Sequence, residues 1–458
     1  MIKTKSMDLT TGPITKNLII YAIPFIFASL LQILFHMADI AIVGIFVSDD
    51  AVAAVGANTS LTNLLVNFFV GFSVGAGVVL AKNVGAKDSE SAKKTVGTAI
   101  FLSLIASVVL VAIGVPMART FLVWMSCDES IIGLATTYLR IYFLGIPLAM
   151  LYNFSASILR ASGDTRRPLT YLIIGGVANV ILNLFFVLVL DMTVAGVAIA
   201  TTASNGICAV LCVGTLLREK GYASLQLSEI KIHVKQLLEI VKIGLPSGLQ
   251  SVAFNIANVL IQSTVNSFGA AGMSANTAAG QFDSMVYTVG NAIAMSVMTF
   301  VGQNIGATNT KRVKQSIVSG VIVGSITTFA LGVTFAIFSP FLCGLIVSGE
   351  EVIAMAAVRL TIMGSTYFLC CIMEVFANAI RAMGRPVFSL VVSVLCATVF
   401  RVALLKVAFA ILPEFWVIYC TWPASWALAI VIYSVLTPRV FKMMKADMYR
   451  KHLNMSEV

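Results

Sequence analysis

Asp39 is the residue of this chain best placed to do chemistry. It stands in an apolar run and follows Gln32 and His36 at i, i+4 and i+7, so a helix puts all three on one face. Further along, Asn179 and Asn183 stand one turn apart, and Thr201 and Thr202 follow at a similar depth in the next apolar run. A carboxylate, two amides and hydroxyls at one level form a small oxygen-rich site. It holds a proton within hydrogen bonds, or binds Na⁺ weakly. The coupling-ion candidates are therefore Asp39, Asn179, Asn183 and Thr202. The alternative for the Asn and Thr residues is structural, as hydrogen bonds between helices.

The second half of the chain has polar faces of its own. Asn255, Asn258, Gln262 and Asn266 lie along one stripe. Asp283, Tyr287 and Asn291 follow at i, i+4 and i+8, and Glu374 and Asn378 are one turn apart. With Gln32 and His36, the residues Asn255, Asn258, Gln262, Asp283, Tyr287 and Glu374 read as the lining of a substrate cavity. Glu374 is close enough to its helix end to be solvated or paired with Arg381 instead. Asp283 can instead partner a buried arginine. Arg140 and Arg359 occupy matching places in the two halves and read as snorkelling or helix-pinning groups. Arg401 and Lys406 can line the cavity or pair with Asp283 or Glu374. No nucleophile–base pair, metal cluster or phosphate loop is present, and the eight cysteines lack CxxC pairing. The reading is a protein without a cofactor that is not an enzyme.

These residues need helices in lipid to hold them. The chain has 458 residues, 59% hydrophobic and 11% charged, with a mean hydropathy of +0.97. Soluble domains average about 25% charged residues, so the bilayer is the partner that accepts this surface. The net charge of +10 is scattered over short loops rather than gathered in a patch, so nucleic acid is not a partner. Apolar runs of spanning length fall near 17–47, 52–81, 95–117, 133–158, 169–190, 194–217, 237–268, 274–303, 316–338, 353–380, 387–411 and 414–437. This predicts an all-α integral membrane protein of twelve transmembrane helices. Acidic loops (Asp49, Asp50, Asp128, Glu129, Glu350, Glu351) alternate with basic ones (Lys3, Lys5, Lys16; Lys82, Lys87; Arg160, Arg166; Lys311, Arg312; Arg439 to Lys451). Lys and Arg mark the cytoplasmic side, which is where both termini are expected. The N-terminus has no cleavable signal pattern.

The halves repeat about 221 residues apart: Lys82-Asn83-Val84-Gly85-Ala86 matches Gln303-Asn304-Ile305-Gly306-Ala307, and Ile158-Leu159-Arg160-Ala161-Ser162-Gly163 matches Ala379-Ile380-Arg381-Ala382-Met383-Gly384. Ala22-Ile23-Pro24 likewise matches Gly244-Leu245-Pro246. An even number of helices per repeat predicts two six-helix lobes related by a pseudo-two-fold axis along the membrane normal. The expected division is an N-terminal lobe over 1–217, a basic cytoplasmic linker over 218–236, a C-terminal lobe over 237–440 and a basic tail over 441–458.

The stretch Ala38-Asp39-Ile40-Ala41-Ile42-Val43-Gly44, with Arg160-Ala161-Ser162-Gly163-Asp164 and Gly302-Gln303-Asn304-Ile305-Gly306-Ala307, resembles the multidrug and toxic compound extrusion (MATE) family. So do Asn179-x-x-x-Asn183 and Val194-Ala195-Gly196-Val197-Ala198 with Thr201. The resemblance covers nearly the whole chain and is closer to the DinF-like and MepA-like bacterial members than to the NorM-like branch. It implies the V-shaped twelve-helix fold of that family in a bacterial inner membrane. It also implies export of small amphipathic cations in exchange for H⁺ or Na⁺ by a monomer. Several members have Asp where this chain has Asn183. A hard cation prefers carboxylate oxygens, so this departure leans the coupling ion towards H⁺. The acid of the NorM-like seventh helix is absent, and Ile261 stands where a counterpart of Asp39 would be. The alternative within the wider superfamily is a lipid-linked saccharide flippase. That activity calls for a strongly cationic cavity, for which Arg401 and Lys406 are the candidates.

Overall fold

The computed structural model describes residues 6–125 and 127–456; Lys3 and Lys5 lie outside the described residues. Among the described residues twelve helices are long and apolar enough to cross a bilayer. They are α1 (Ile14–Phe46), α2 (Asp50–Gly85), α3 (Ser89–Trp124), α4 (Ile132–Ala161), α5 (Arg166–Val189), α6 (Val194–Arg218), α7 (Val234–Asn266), α8 (Gly269–Gly306), α9 (Thr310–Ile337), α10 (Glu350–Ala382), α11 (Pro386–Ile411) and α12 (Phe415–Arg450). Each matches one apolar run of the sequence. Helices satisfy every backbone group internally, which is why they are the spanning form that lipid permits.

The chain forms two compact units, and they do not follow chain order. One is Met1–Asp8 with Phe27–Gly248, and the other is Leu9–Ile26 with Leu249–Val458. Both α1 and α7 pass from one unit to the other, two residues beyond Pro24 and Pro246 respectively. An interior proline removes one helical hydrogen bond, and in both helices it lies at the crossover.

In the first unit α4 is central, packed against α2, α3 and α6, with α5 on α6. The opening part of α7 lies so close to α2 that a Cβ on Gly75 would sit 2.5 Å from the Ile240 carbonyl oxygen. The segment joining α6 to α7 is docked against α3. The Leu227–Glu229 turn sits against Gly97 of α3, and the His233 backbone N–H donates to Thr98 Oγ1 at 3.3 Å.

In the second unit α8 and α10 pack along each other, with α9 and α12 against α10. The opening segment of the chain belongs here. The Leu9 N–H donates to Gln303 Oε1 at 3.3 Å, Asn304 Nδ2 donates to the Leu9 carbonyl at 3.2 Å, and Arg312 donates to the carbonyls of Leu9, Thr11 and Gly12. The Gln303-Asn304 signature is thus a clamp on the chain's own start. The stretch from 441 continues α12, which remains helical to Ser456.

The fifth span of each half widens, at different depths. A π-helical turn over Phe185–Val189 follows Asn183 in α5, and another over Leu395–Phe400 precedes Arg401 in α11. Such turns insert a residue into the helical ladder and occur frequently at functional sites.

Gly75→Val forces the α2–α7 contact apart and is expected to cost about 1–3 kcal/mol, the range for overpacking. Thermal unfolding in detergent checks this against Gly133→Val, whose Cβ would meet nothing within 4 Å.

Candidate functional site

Three helices of the first unit bring the carboxylate cluster together. Asn183 Nδ2 on α5 donates to Asp39 Oδ1 on α1 at 2.5 Å and also lies 3.3 Å from Asn179 Oδ1. Thr201 Oγ1 on α6 donates to Asp39 Oδ2 at 3.2 Å. Asp39 is 9% exposed, and Asn179 and Asn183 are buried. Local sequence makes this convergence possible. Asn179 and Asn183 share a face because they are four residues apart. One turn earlier, a Cβ on Gly176 would lie 1.9 Å from the Phe35 ring of α1, and one on Gly175 would lie 2.2 Å from Cys208 Sγ of α6. The glycine pair lets both neighbours approach α5.

The hydroxyl that reaches Asp39 is Thr201, not the expected Thr202. Thr202 points at Gly145 of α4, because successive helical residues are turned by about 100°. Gln32 and His36, on the same face of α1 as Asp39, are exposed while Asp39 is buried. Among the described residues no cationic side chain is ion-paired with Asp39. Its partners are neutral donors. The buried Oδ1 of Asn183 has no partner, so one acceptor beside the carboxylate remains open. Thr201 Oγ1 also lies 3.0 Å from the Val197 carbonyl. When Asp39 takes a proton, the hydroxyl can turn its own hydrogen to that carbonyl and accept from the acid.

Asp283, in the second unit, is a different object. Arg359 Nε donates to its Oδ2 at 2.7 Å, and the same guanidinium donates to the Asn276 carbonyl at 2.7 Å and to Asn276 Oδ1. Tyr419 donates to Asn276 Oδ1 at 2.8 Å, and Asn276 Nδ2 donates to Gln262 Oε1 at 3.0 Å. Arg359 therefore neutralises Asp283, in place of Arg401 or Lys406 and in place of a pinning role. Its counterpart Arg140 is exposed. The Asn255–Asn266 stripe does not act as one surface. Asn255 bonds the Ser251 carbonyl of its own helix at 2.9 Å, Asn258 is exposed, and Gln262 joins the arginine cluster.

Glu374 is buried at 5% exposure rather than solvated. It meets Arg381 through an intermediary. Asn378 Nδ2 donates to Glu374 Oε2 at 3.3 Å, and Arg381 donates to Asn378 Oδ1 at 3.0 Å and to Gln250 Oε1 at 2.6 Å. Glu374 and Tyr287 line a narrow cleft with Gly290, Thr328, Tyr367 and Cys370. Among the described residues no group of three or more His, Cys, Asp or Glu is arranged to hold a metal. Sequence reasoning missed Asn276, Tyr419 and the partnership of Arg359 with Asp283. Two signals pointed towards the pair without joining it: the place of Arg359 in the repeat, and Asp283 as an intramembrane acid suited to a buried arginine.

The MatE family model matches residues 24–185 and 246–406. The chain is similar to "Probable multidrug resistance protein YpnP" of Bacillus subtilis, with 27% identity over 397 residues covering 87% of this chain and 89% of that protein. It is similar to the "FAD transporter" of Shewanella oneidensis, with 24% identity over 399 residues covering 85% and 87%. Its fold matches a solved "MOP superfamily transporter" from Pyrococcus furiosus with a TM-score of 0.90 at 20% identity, covering 97% of this chain and all of that one.

Breaking a buried ion pair on one side leaves an uncompensated charge, at a cost of about 3–5 kcal/mol. Arg359→Met is expected to destabilise the protein by that order, and Arg359→Met with Asp283→Asn by much less. A double-mutant cycle on thermal unfolding reads the coupling. Additive losses would show that the two groups act independently.

Proposed function

The chain belongs to the MatE family, and on that premise we propose that it exports small amphipathic organic cations in exchange for H⁺, with Na⁺ as the alternative coupling ion. It is a multi-pass membrane transporter rather than an enzyme. The observation that supports the coupling role is the environment of Asp39. Asp283 already has a guanidinium, so a proton arriving there competes with a fixed cation. Asp39 has three neutral neighbours and no fixed cation, so an arriving H⁺ or Na⁺ supplies the missing charge. An ionisable group inside a spanning helix costs at least a few kcal/mol, about 2.5–3.5 by insertion scales. A carboxylate kept there without a protein cation suits a group whose charge is cancelled in each transport cycle.

Exchange follows if Asp39 cannot serve coupling ion and substrate at once. A ligand shifts a conformational equilibrium only by its differential affinity for the two states, and the cluster joins α1, α5 and α6. Cation binding that tightens or releases Asn183 and Thr201 would bias how those helices sit. H⁺ is favoured because the set offers one carboxylate, with Asn183 where some relatives have a second acid, and because Thr201 has a carbonyl ready to receive its hydrogen. The lobe division, monomeric state, cytoplasmic termini and inner-membrane location belong to the same proposal. The relative's name, a probable multidrug resistance protein, favours drug-like cargo, and the name of the other, a FAD transporter, keeps a dedicated metabolite in view.

Asp39→Asn is expected to abolish ethidium efflux from proteoliposomes while size-exclusion behaviour stays normal; full transport by that variant would overturn the assignment. Imposing a pH gradient and a Na⁺ gradient separately decides the ion. Thr201→Val is expected to lower coupled transport about 10-fold or more, the scale of one hydrogen bond to a charged group. Thr202→Ser, away from the carboxylate, should transport like the unmodified protein.

A further inference from the structure

An aromatic face runs along α12, where Phe415, Tyr419, Trp422 and Trp426 follow at i, i+4, i+7 and i+11. Two arginines lie against it. Arg359 sits 5.1 Å over the Tyr419 ring and is ion-paired with Asp283. Arg401 sits 5.2 Å over Trp422 and 6.0 Å over Trp426, and its Nε donates to Ser425 Oγ at 2.9 Å. Arg401 is 5% exposed, yet among the described residues it is paired with no carboxylate. The nearby acids are committed elsewhere, Asp283 to Arg359 and Glu374, through Asn378, to Arg381. The interior of the second unit thus holds one guanidinium whose counter-charge the protein does not supply.

Buried charges in proteins are paired, and charged residues within spanning helices mark substrate paths. Arg401 is fifteen residues past Pro386 in a helix of 26. That is near mid-span, where transporters place their sites. The π-helical turn ends immediately before it. Trp426 contacts Tyr367 with ring centroids 5.4 Å apart, and Tyr367 lines the Glu374 cleft. A guanidinium carries five N–H donors, and one of them is used here by a side chain.

We propose that Arg401 with Trp422 and Trp426 forms an anion-recognition site for compounds bearing a carboxylate or phosphate on a flat aromatic ring. The fork of free N–H groups takes the anion in bidentate fashion. Trp422 is half-buried, stacked with Tyr419 at 5.9 Å between ring centroids, and it extends the aromatic surface on which the ligand's ring would pack. The inference rests on the chain being a transporter, and it widens the cargo from cations to aromatic anions and zwitterions.

The test uses the full chain in nanodiscs of phosphatidylcholine, with fluorescein as the probe, read by polarisation. Saturable binding is expected, weakened about 10-fold or more in Arg401→Gln and partly kept in Arg401→Lys, which retains the charge but loses the fork. Trp422→Leu should weaken it as well, so a misfolded Arg401→Gln protein would not leave the question open. Fluorescein binding that is absent, or equal in all variants, overturns the proposal. Phosphatidylglycerol added to the disc distinguishes a lipid headgroup; displacement of fluorescein by that lipid would assign the site to lipid and overturn the cargo reading. Ethidium efflux is measured in parallel. Its absence from the unmodified protein refutes the cation-exporter reading alone, while its retention in Arg401→Gln separates the two sites.

Discussion

Hydrocarbon offers a polar side chain no hydrogen bond, and the interior of this chain is arranged around that demand. Each buried charge meets it differently. Asp283 is held by Arg359, and Arg359 in turn by Asn276 and the Tyr419 ring. Glu374 reaches Arg381 through Asn378. Asp39 is held by neutral donors alone. The first two arrangements are closed, with opposite charges already fixed by the protein. The third has no opposite charge fixed beside it among the described residues, which sets it apart from the other two without reference to exposure.

The repeat governs the frame more than the chemistry. The loop signatures recur in both halves, and both α5 and α11 widen into a π-helical turn. The interiors have diverged. Asp39 has its counterpart near Ile261, which is buried at 2% exposure. Arg140 is exposed while Arg359 anchors a five-residue cluster. Matching sequence positions therefore predicted matching helices but not matching roles.

The spans were legible because twenty or so apolar residues have few other homes, and the Asn179–Asn183 pair because i, i+4 is a local relation. What the sequence did not reveal is rotational and long-range. Whether Thr201 or Thr202 meets Asp39 depends on how α6 is turned against α1, and lipid-facing and protein-facing positions are alike apolar. Asp283 and Arg359 are 76 residues apart, and no spacing rule connects them. The crossing of α1 and α7 between units was hidden for the same reason, since hydropathy reports that a helix spans and not which neighbours it packs against.

That crossing has a consequence for biogenesis. Residues 9–26 are synthesised well before their partners Gln303, Asn304 and Arg312, and Tyr21 meets Phe300 with ring centroids 5.7 Å apart. The Leu9–Gln303 bond closes a separation of 294 residues. At about 5–20 residues per second, this segment waits roughly 15–60 s for α8 to be made. Until then residues 9–26 lack their partners in the second unit, so completion of that unit is a later event in synthesis that reaches back across the chain.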